Sequence, residues 1–265
     1  MPTPVMLISG ASSGIGAATA RLCAQAGYRL VLAARREEHL AALATEIRAA
    51  GGEALVVPAD VTVLEDIQNL VQTALATYGQ IDVLLNNAGL GRLKWLEDLA
   101  PQGEIETQLD VNLTGAIWLT GVVLPHMIAR RSGHIIQMAS LASWIATPTY
   151  SVYAASKFGL RGFSEALRRE VSPYGIRVSS IYPGGVATEF AAKARSERKS
   201  GIGTPDFLRL SADDVAKAVL RVLKRPRPGL IIPGVMRLAV VCNLLFPGLV
   251  DWIIEHRFTR LEREL

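Results

Sequence analysis

Seven short apolar runs recur along the chain: Val5 to Ser9, Arg29 to Ala34, Glu53 to Ala59, Asp82 to Asn87, His134 to Ser140, Ile176 to Pro183 and Gly229 to Pro233. They are rich in Val, Ile and Leu and lack strict alternation, so they read as strands buried on both faces, as in a parallel sheet covered by helices. Between them lie stretches of helical period: Ile15 to Ala26, Glu37 to Ala50, Val63 to Tyr78, Ile105 to Arg130 and Tyr153 to Ser172. This alternation predicts an α/β fold, a doubly wound parallel sheet of about seven strands with right-handed crossovers and helices on both faces. No linker rich in Pro, Gly or Ser divides the chain. Residues 1–234 are expected to form one domain, and residues 235–265 an apolar helical extension of it.

Composition narrows the setting without changing the fold. The 265 residues carry a formal net charge of +4 with Lys and Arg scattered, so no nucleic-acid partner is expected. Only Cys23 and Cys242 are present, which supports no disulfide framework and suits a reducing cytoplasm. The opening "MPTPVMLISG" has neither the basic region nor the cleavage site of a signal peptide. His39, His126, His134 and His256 are isolated from acidic or cysteine partners at ligand spacing, so no metal site is expected.

Candidate chemistry begins where the first strand turns into the first helix. In "GASSGIG", Gly10, Gly14 and Gly16 allow a pyrophosphate to approach the backbone and rest on the helix N-terminus, where free N–H groups favour negative charge. The G-x-x-x-G-x-G spacing departs from the commoner G-x-G-x-x-G, and a plain tight turn is the competing reading. A Rossmann-type site for NAD usually carries Asp or Glu at the end of the second strand. Here Arg35 and Arg36 stand there, and guanidinium groups suit a ribose 2′-phosphate, so NADP(H) is preferred over NAD(H). The alternative is that both arginines pair with Glu37 and Glu38.

A second candidate is "SVYAASKFG". Tyr153 and Lys157 are four residues apart and share a helix face, whereas the i+4 partner of Tyr150 is Ala154. A tyrosine of ordinary pKa, about 10, must be shifted to exchange protons near neutrality, and a neighbouring ammonium lowers it. Asn112 lies inside a long apolar helix, where its amide is costly unless bonded. Bending that helix is its alternative role.

Together, "GASSGIG", "NNAG" (Asn86 to Gly89), "DVN" with Asn112, Ser140, "YAASK" and "PGGVAT" (Pro183 to Thr188) resemble the short-chain dehydrogenase/reductases of the NADP-preferring type, over nearly the whole chain. The resemblance implies Tyr153 as general acid/base, Ser140 orienting the carbonyl, Lys157 tuning Tyr153 and holding the nicotinamide ribose, and Asn112 anchoring a water in the proton relay. It selects Ser140 over Ser143, which falls in the following loop and is expected to line the substrate pocket. It implies cofactor contacts from Gly10, Ser12, Ser13, Gly14, Ile15 and Gly16, from Asp60 and Val61 at the adenine, and from Asn87, Ala88 and Gly89 at the adenosine ribose. Pro183, Gly184, Val186 and Thr188 would cover the nicotinamide. The stretch after Thr188 matches the family's mobile lid. A homodimer or homotetramer, paired through the helices at 105–130 and 153–172, is also implied.

The tail from Val235 to Leu265 is apolar as far as Ile254 and then charged. Its run is interrupted by Asn243 and stopped by Pro247-Gly248, short of the roughly 20 apolar residues a transmembrane helix needs. It is expected to pack on a partner subunit, to roof an apolar pocket, or to lie in a membrane interface with Trp252 at head-group level. The expected function is interconversion of a ketone or aldehyde and an alcohol on a hydrophobic small molecule, steroid-like, acyl or aromatic. The expected location is the cytoplasm, with possible peripheral membrane contact. The competing readings are a 3-oxoacyl thioester reductase and a non-catalytic NADP-binding regulator.

Overall fold

The computed structural model describes residues 3–188 and 204–264. Seven parallel strands form one sheet: β1 (Val5–Ser9), β2 (Arg29–Ala34), β3 (Ala54–Pro58), β4 (Val83–Asn86), β5 (Gly133–Met138), β6 (Ile176–Pro183) and β7 (Gly229–Ile232). Their order is β3-β2-β1-β4-β5-β6-β7, so the chain leaves β1 in one direction, returns, and continues from β4 in the other. The gap between the C-terminal ends of β1 and β4 is the switch point at which open α/β sheets bind ligands.

Strand residues alternate between two apolar layers, as the two-residue period of a strand demands. Met6, Ile8, Leu30 and Leu32 face one layer, which includes Ala17 and Ala20 of α1 (Gly14–Gln25) and Leu40 and Leu43 of α2 (Glu37–Ala49). Val5, Leu7, Val31 and Leu84 face the other, with Ile67 and Leu70 of α3 (Leu64–Tyr78).

The helix expected over Ile105 to Arg130 is not uniform. A short α4 (Glu106–Leu109) passes through a π turn at Asp110–Thr114 into α5 (Gly115–Arg130), and Asn112 lies in that turn. The whole 101–130 segment is apolar and long enough to cross a membrane. Here Leu119, Val123 and Met127 are buried against the sheet.

Next comes α6 (Ser151–Glu170), which begins two residues earlier than expected and carries Tyr153 and Lys157 in its first two turns. One element escapes the sequence reading: α7 (Ala212–Lys224), opened by a capping box in which Ser211 and Asp214 satisfy each other's backbone N–H. Its buried Val215, Ala218, Val219 and Val222 join the first layer. The tail forms α8 (Met236–Leu245), α9 (Pro247–Ile254) and α10 (Arg260–Glu264), with a bend of 113° at Phe246, just before Pro247.

Candidate active site

Two strand ends are stitched together at the switch point. The Ser9 hydroxyl accepts from the backbone N–H of Asn87 (3.0 Å) and of Ala88 (3.2 Å), and Asn87 Nδ2 donates to the carbonyls of Ser9 (3.1 Å) and Gly10 (3.0 Å). Gly10 has φ +66°, and a Cβ there would lie 2.7 Å from the Ala88 backbone, so only glycine lets the two loops meet. Asn87 thus works through its side chain as well as its backbone. Ser9, a lone polar residue at a strand end, carries no motif that would have singled it out.

Beyond Gly10, the loop of Ser12 and Ser13 feeds α1, on whose first turn Gly14, Ile15 and Gly16 lie. Its N-cap, Ser13, makes no side-chain cap bond and no acidic residue occupies the first turn. The first N–H groups of α1 therefore suit an anion. Arg36 reaches over this loop, donating to Ser13 Oγ (2.7 Å) and Ser12 Oγ (3.2 Å). Arg35 sits 3.6 Å from the Asp60 carboxylate, whose other oxygen accepts from the N–H and hydroxyl of Thr62. Val61 is buried against the start of α5.

The π turn of α4–α5 brings Asn112 beneath β4's continuation. Its amide donates to the Leu90 carbonyl (2.8 Å) and to Ser156 Oγ (3.2 Å), while its oxygen accepts from the Leu90 N–H (2.8 Å). Both halves of the amide are satisfied, which answers the cost of burying it. A Cβ added at Gly89 would stand 3.2 Å from Asn112 Oδ1 and 3.7 Å from Lys157 Nζ, so the missing side chain leaves a cradle in front of both.

The candidate pair Tyr153 and Lys157 lies on the first two turns of α6. Lys157 is 4% exposed and donates from Nζ to the Met138 carbonyl (3.1 Å) at the end of β5. Nζ lies 5.7 Å from the centre of the Tyr153 ring, which is 8% exposed. Burial pushes the lysine down to about 8. Burial also pushes the Tyr153 phenol up to about 12, offset in part by its hydrogen bond with Ser140. The sequence predicts the opposite direction for Tyr153, because it counts the ammonium but not the desolvation of a phenolate, which dominates here. The Tyr150 ring packs edge-on against Tyr153 at 5.8 Å.

Ser140 has extended backbone and opens the turn Leu141–Ser143, its hydroxyl accepting from the Ala142 N–H (3.1 Å). Ser143 is fully buried and its hydroxyl meets no partner among the described residues, so the structure does not place it at an open surface. On the far side, the Gly184 N–H donates to the Ile232 carbonyl (2.8 Å), fixing the turn after Pro183 to β7, and Val186 pairs with Leu210. The Thr188 methyl would stand 3.4 Å from a Cβ at Gly14, so this turn reaches the glycine loop. The expected lid lies mostly at 189–203, outside the described residues.

The structure thus brings Asn112 and Lys157 to Gly89 and sets Tyr153 between Lys157 and Ser140, with an uncapped helix start and two arginines at the neighbouring strand ends. These residues fit a nicotinamide dinucleotide, with the cradle at Gly89 and the open α1 N-terminus as the features a dinucleotide needs. Among the described residues no group of His, Cys, Asp and Glu is placed to hold a metal.

Residues 4–199 match the family model described as short chain dehydrogenase. A fruit-fly (Drosophila melanogaster) protein named dehydrogenase/reductase SDR family protein 7-like is 33% identical over 99% of this chain and 82% of its own length. An alcohol dehydrogenase from the archaeon Thermococcus sibiricus, solved with 5-hydroxy-NADP, superposes with a TM-score of 0.78 at 30% identity, covering 86% of this chain and 95% of that one. A short chain dehydrogenase/reductase from Burkholderia phymatum, solved with NAD, gives a TM-score of 0.83 at 26% identity, covering 93% and 94%.

Proposed function

The chain belongs to the short chain dehydrogenases and is an NAD(P)-dependent oxidoreductase acting on CH–OH groups, and from that premise we propose that it works as an NADPH-dependent reductase of a hydrophobic ketone or aldehyde. The observation that carries this reading is the buried Tyr153, held protonated beside Ser140 and Lys157. A phenol pushed up to about 12 stays protonated, the form that carbonyl reduction uses, and the neighbouring Lys157 ammonium would bring it back toward the operating pH as the phenolate forms.

Bound nicotinamide supplies the hydride in reduction and takes it in oxidation. The chain does the rest. Ser140 Oγ–H donates to the substrate carbonyl oxygen and orients it. Tyr153 gives its phenolic proton to that oxygen as negative charge develops. The Lys157 ammonium, pinned to the Met138 carbonyl, stabilises the phenolate left behind. Asn112 holds Ser156 and the backbone at Leu90, keeping α6 and the β4 end in register. Gly10, Ser12, Ser13, Gly14, Ile15 and Gly16 would hold the pyrophosphate; Asp60, Val61, Asn87, Ala88 and Gly89 the adenosine; and Pro183, Gly184, Val186 and Thr188 the carboxamide.

Preference for NADP rests on Arg35 and Arg36. Arg36 already crosses the glycine loop, where a 2′-phosphate would replace neutral hydroxyls with a charge-assisted partner. A hydrophobic substrate is supported by the apolar helix α8, which docks on the Trp144 carbonyl at the end of the Ser140 turn. The exposed Trp118 on α5 and Phe158 on α6 support the expected pairing of these helices between copies.

The test is reduction of a carbonyl panel (steroid ketone, acyl thioester, aromatic ketone, sugar) followed by NADPH absorbance, in wild type and Tyr153→Phe. The variant should bind NADPH as the wild type does yet lose about 100-fold or more in rate, the range general acid catalysis supplies. Undiminished turnover would remove Tyr153 from the mechanism.

A further inference from the structure

Asn243 interrupts the apolar run from Leu238 to Phe246 and is half-buried. On α8, Leu238, Val241 and Leu245 lie on the exposed side, while Val240 is buried on the opposite side. A half-buried amide needs a partner to offset its desolvation. It has one: Nδ2 donates to the carbonyl of Trp144 (3.2 Å), ninety-nine residues earlier in the chain.

Trp144 ends the turn that Ser140 begins. The Trp144 N–H donates to the Leu141 carbonyl (2.9 Å), and the Ser140 hydroxyl caps the same turn. The Trp144 ring is held between the Arg161 guanidinium, 3.3 Å from its centre, and the edge of Tyr182 at 5.6 Å. Arg161 donates as well to the Ser143 carbonyl (3.4 Å) and is itself oriented by Glu165 (3.1 Å). The side chain and the neighbouring carbonyl are therefore fixed by α6 and β6, and the Trp144 carbonyl by the tail.

We propose that Asn243 is a positioning residue for carbonyl reduction: by holding the Trp144 carbonyl, helix α8 sets the turn that aims the Ser140 hydroxyl at the substrate. This rests on the reading of Ser140 and Tyr153 given above. Productive geometry must be kept to about 0.5 Å, so a bond made at the opposite end of the turn from Ser140 to Trp144 is felt at the hydroxyl. The C-terminal extension then belongs to the catalytic apparatus.

The test compares Asn243→Leu, which keeps the volume and removes the donor, with Asn243→Gln, which retains an amide. Amide hydrogen exchange over residues 140–146 reads the turn directly and needs no substrate. Asn243→Leu should speed exchange there and lower kcat about 5- to 10-fold on the panel carbonyl the wild type reduces fastest, with NADPH affinity unchanged and the melt lowered by no more than several degrees. The rise of the reverse, alcohol-oxidising reaction with pH should move to higher pH, because the Ser140 bond that lowers the Tyr153 phenol is loosened. Asn243→Gln should recover most of the rate. Unchanged exchange, or a kcat loss that merely tracks the unfolded fraction in both variants, overturns the proposal. Ser140→Ala is run in parallel. If it is inactive while Asn243→Leu behaves as wild type, only the positioning role fails; if it keeps full activity, the reading of Ser140 fails with it.

Discussion

Lys157→Met separates what the buried ammonium costs the fold from what it does for the reaction. Lys157 falls from its ordinary 10.5 to about 8 because burial strips its hydration. At about 1.4 kcal/mol per pH unit, that drop corresponds to a stability cost of about 3 kcal/mol. The unfolded chain binds the extra proton between those two values, so stability rises with pH across that window. The cost is fully present below pH 8 and gone above 10.5. Methionine has a similar reach and no charge, so the variant should lack this slope. It leaves the Met138 carbonyl without its lysine partner, an offset of about 1–3 kcal/mol that does not vary with pH. The Tyr153 titration, raised to about 12, falls in both proteins and cancels to first order in the difference. Urea unfolding below pH 8, near 9 and just above 10.5 should therefore show wild-type stability rising relative to Lys157→Met by about 3 kcal/mol. Carbonyl reduction should be lost in the variant at every pH. A stability difference that stays flat from neutral to alkaline pH would refute the claim that Lys157 is held charged in a desolvated site.

Replacing both Arg35 and Arg36 by Ala should weaken NADPH about 10- to 100-fold and NADH by no more than about 3-fold, as read by fluorescence titration; equal weakening would refute the 2′-phosphate assignment. Gly10→Ala would force a side chain into φ +66° and into the Ala88 backbone, so the variant should melt several degrees lower and lose dinucleotide binding; a wild-type melt would refute the close approach. Val235, Leu238, Val241, Leu244, Trp252 and Ile253 are all exposed on the tail, which supports peripheral membrane contact. Flotation with phosphatidylcholine vesicles should carry the full chain, and a chain ending at Gly234 should stay behind. Identical partition of the two removes the idea.

How much of this was legible in advance depends on the range over which each signal acts. The seven strands and five of the helices announce themselves because apolar period and β-branched runs are properties of neighbouring residues. Gly10, Asn112, Tyr153 and Lys157 could be singled out from motif and spacing, and Ser140 only through the family resemblance. Helix α7 was missed although Ser211 and Asp214 spell a capping box, because the charged segment before it hid where its apolar face begins.

What the sequence determined by itself is the α/β class, the parallel strands and which side chains share a helix turn. Those follow from steric and hydrophobic preferences a few residues long. The tertiary structure decided the strand order that puts the ends of β1 and β4 side by side, with Ser9 bonding Asn87 and Gly10 against Ala88. It decided that Asn112 is spent on Leu90 and Ser156, and that Asn243 answers Trp144 across the chain. It also decided that Tyr153 is buried, which raises its phenol while the Ser140 bond offsets part of the rise. Desolvation and long-range hydrogen bonds depend on what surrounds a group in space, and that is defined only once the layers have closed on the sheet.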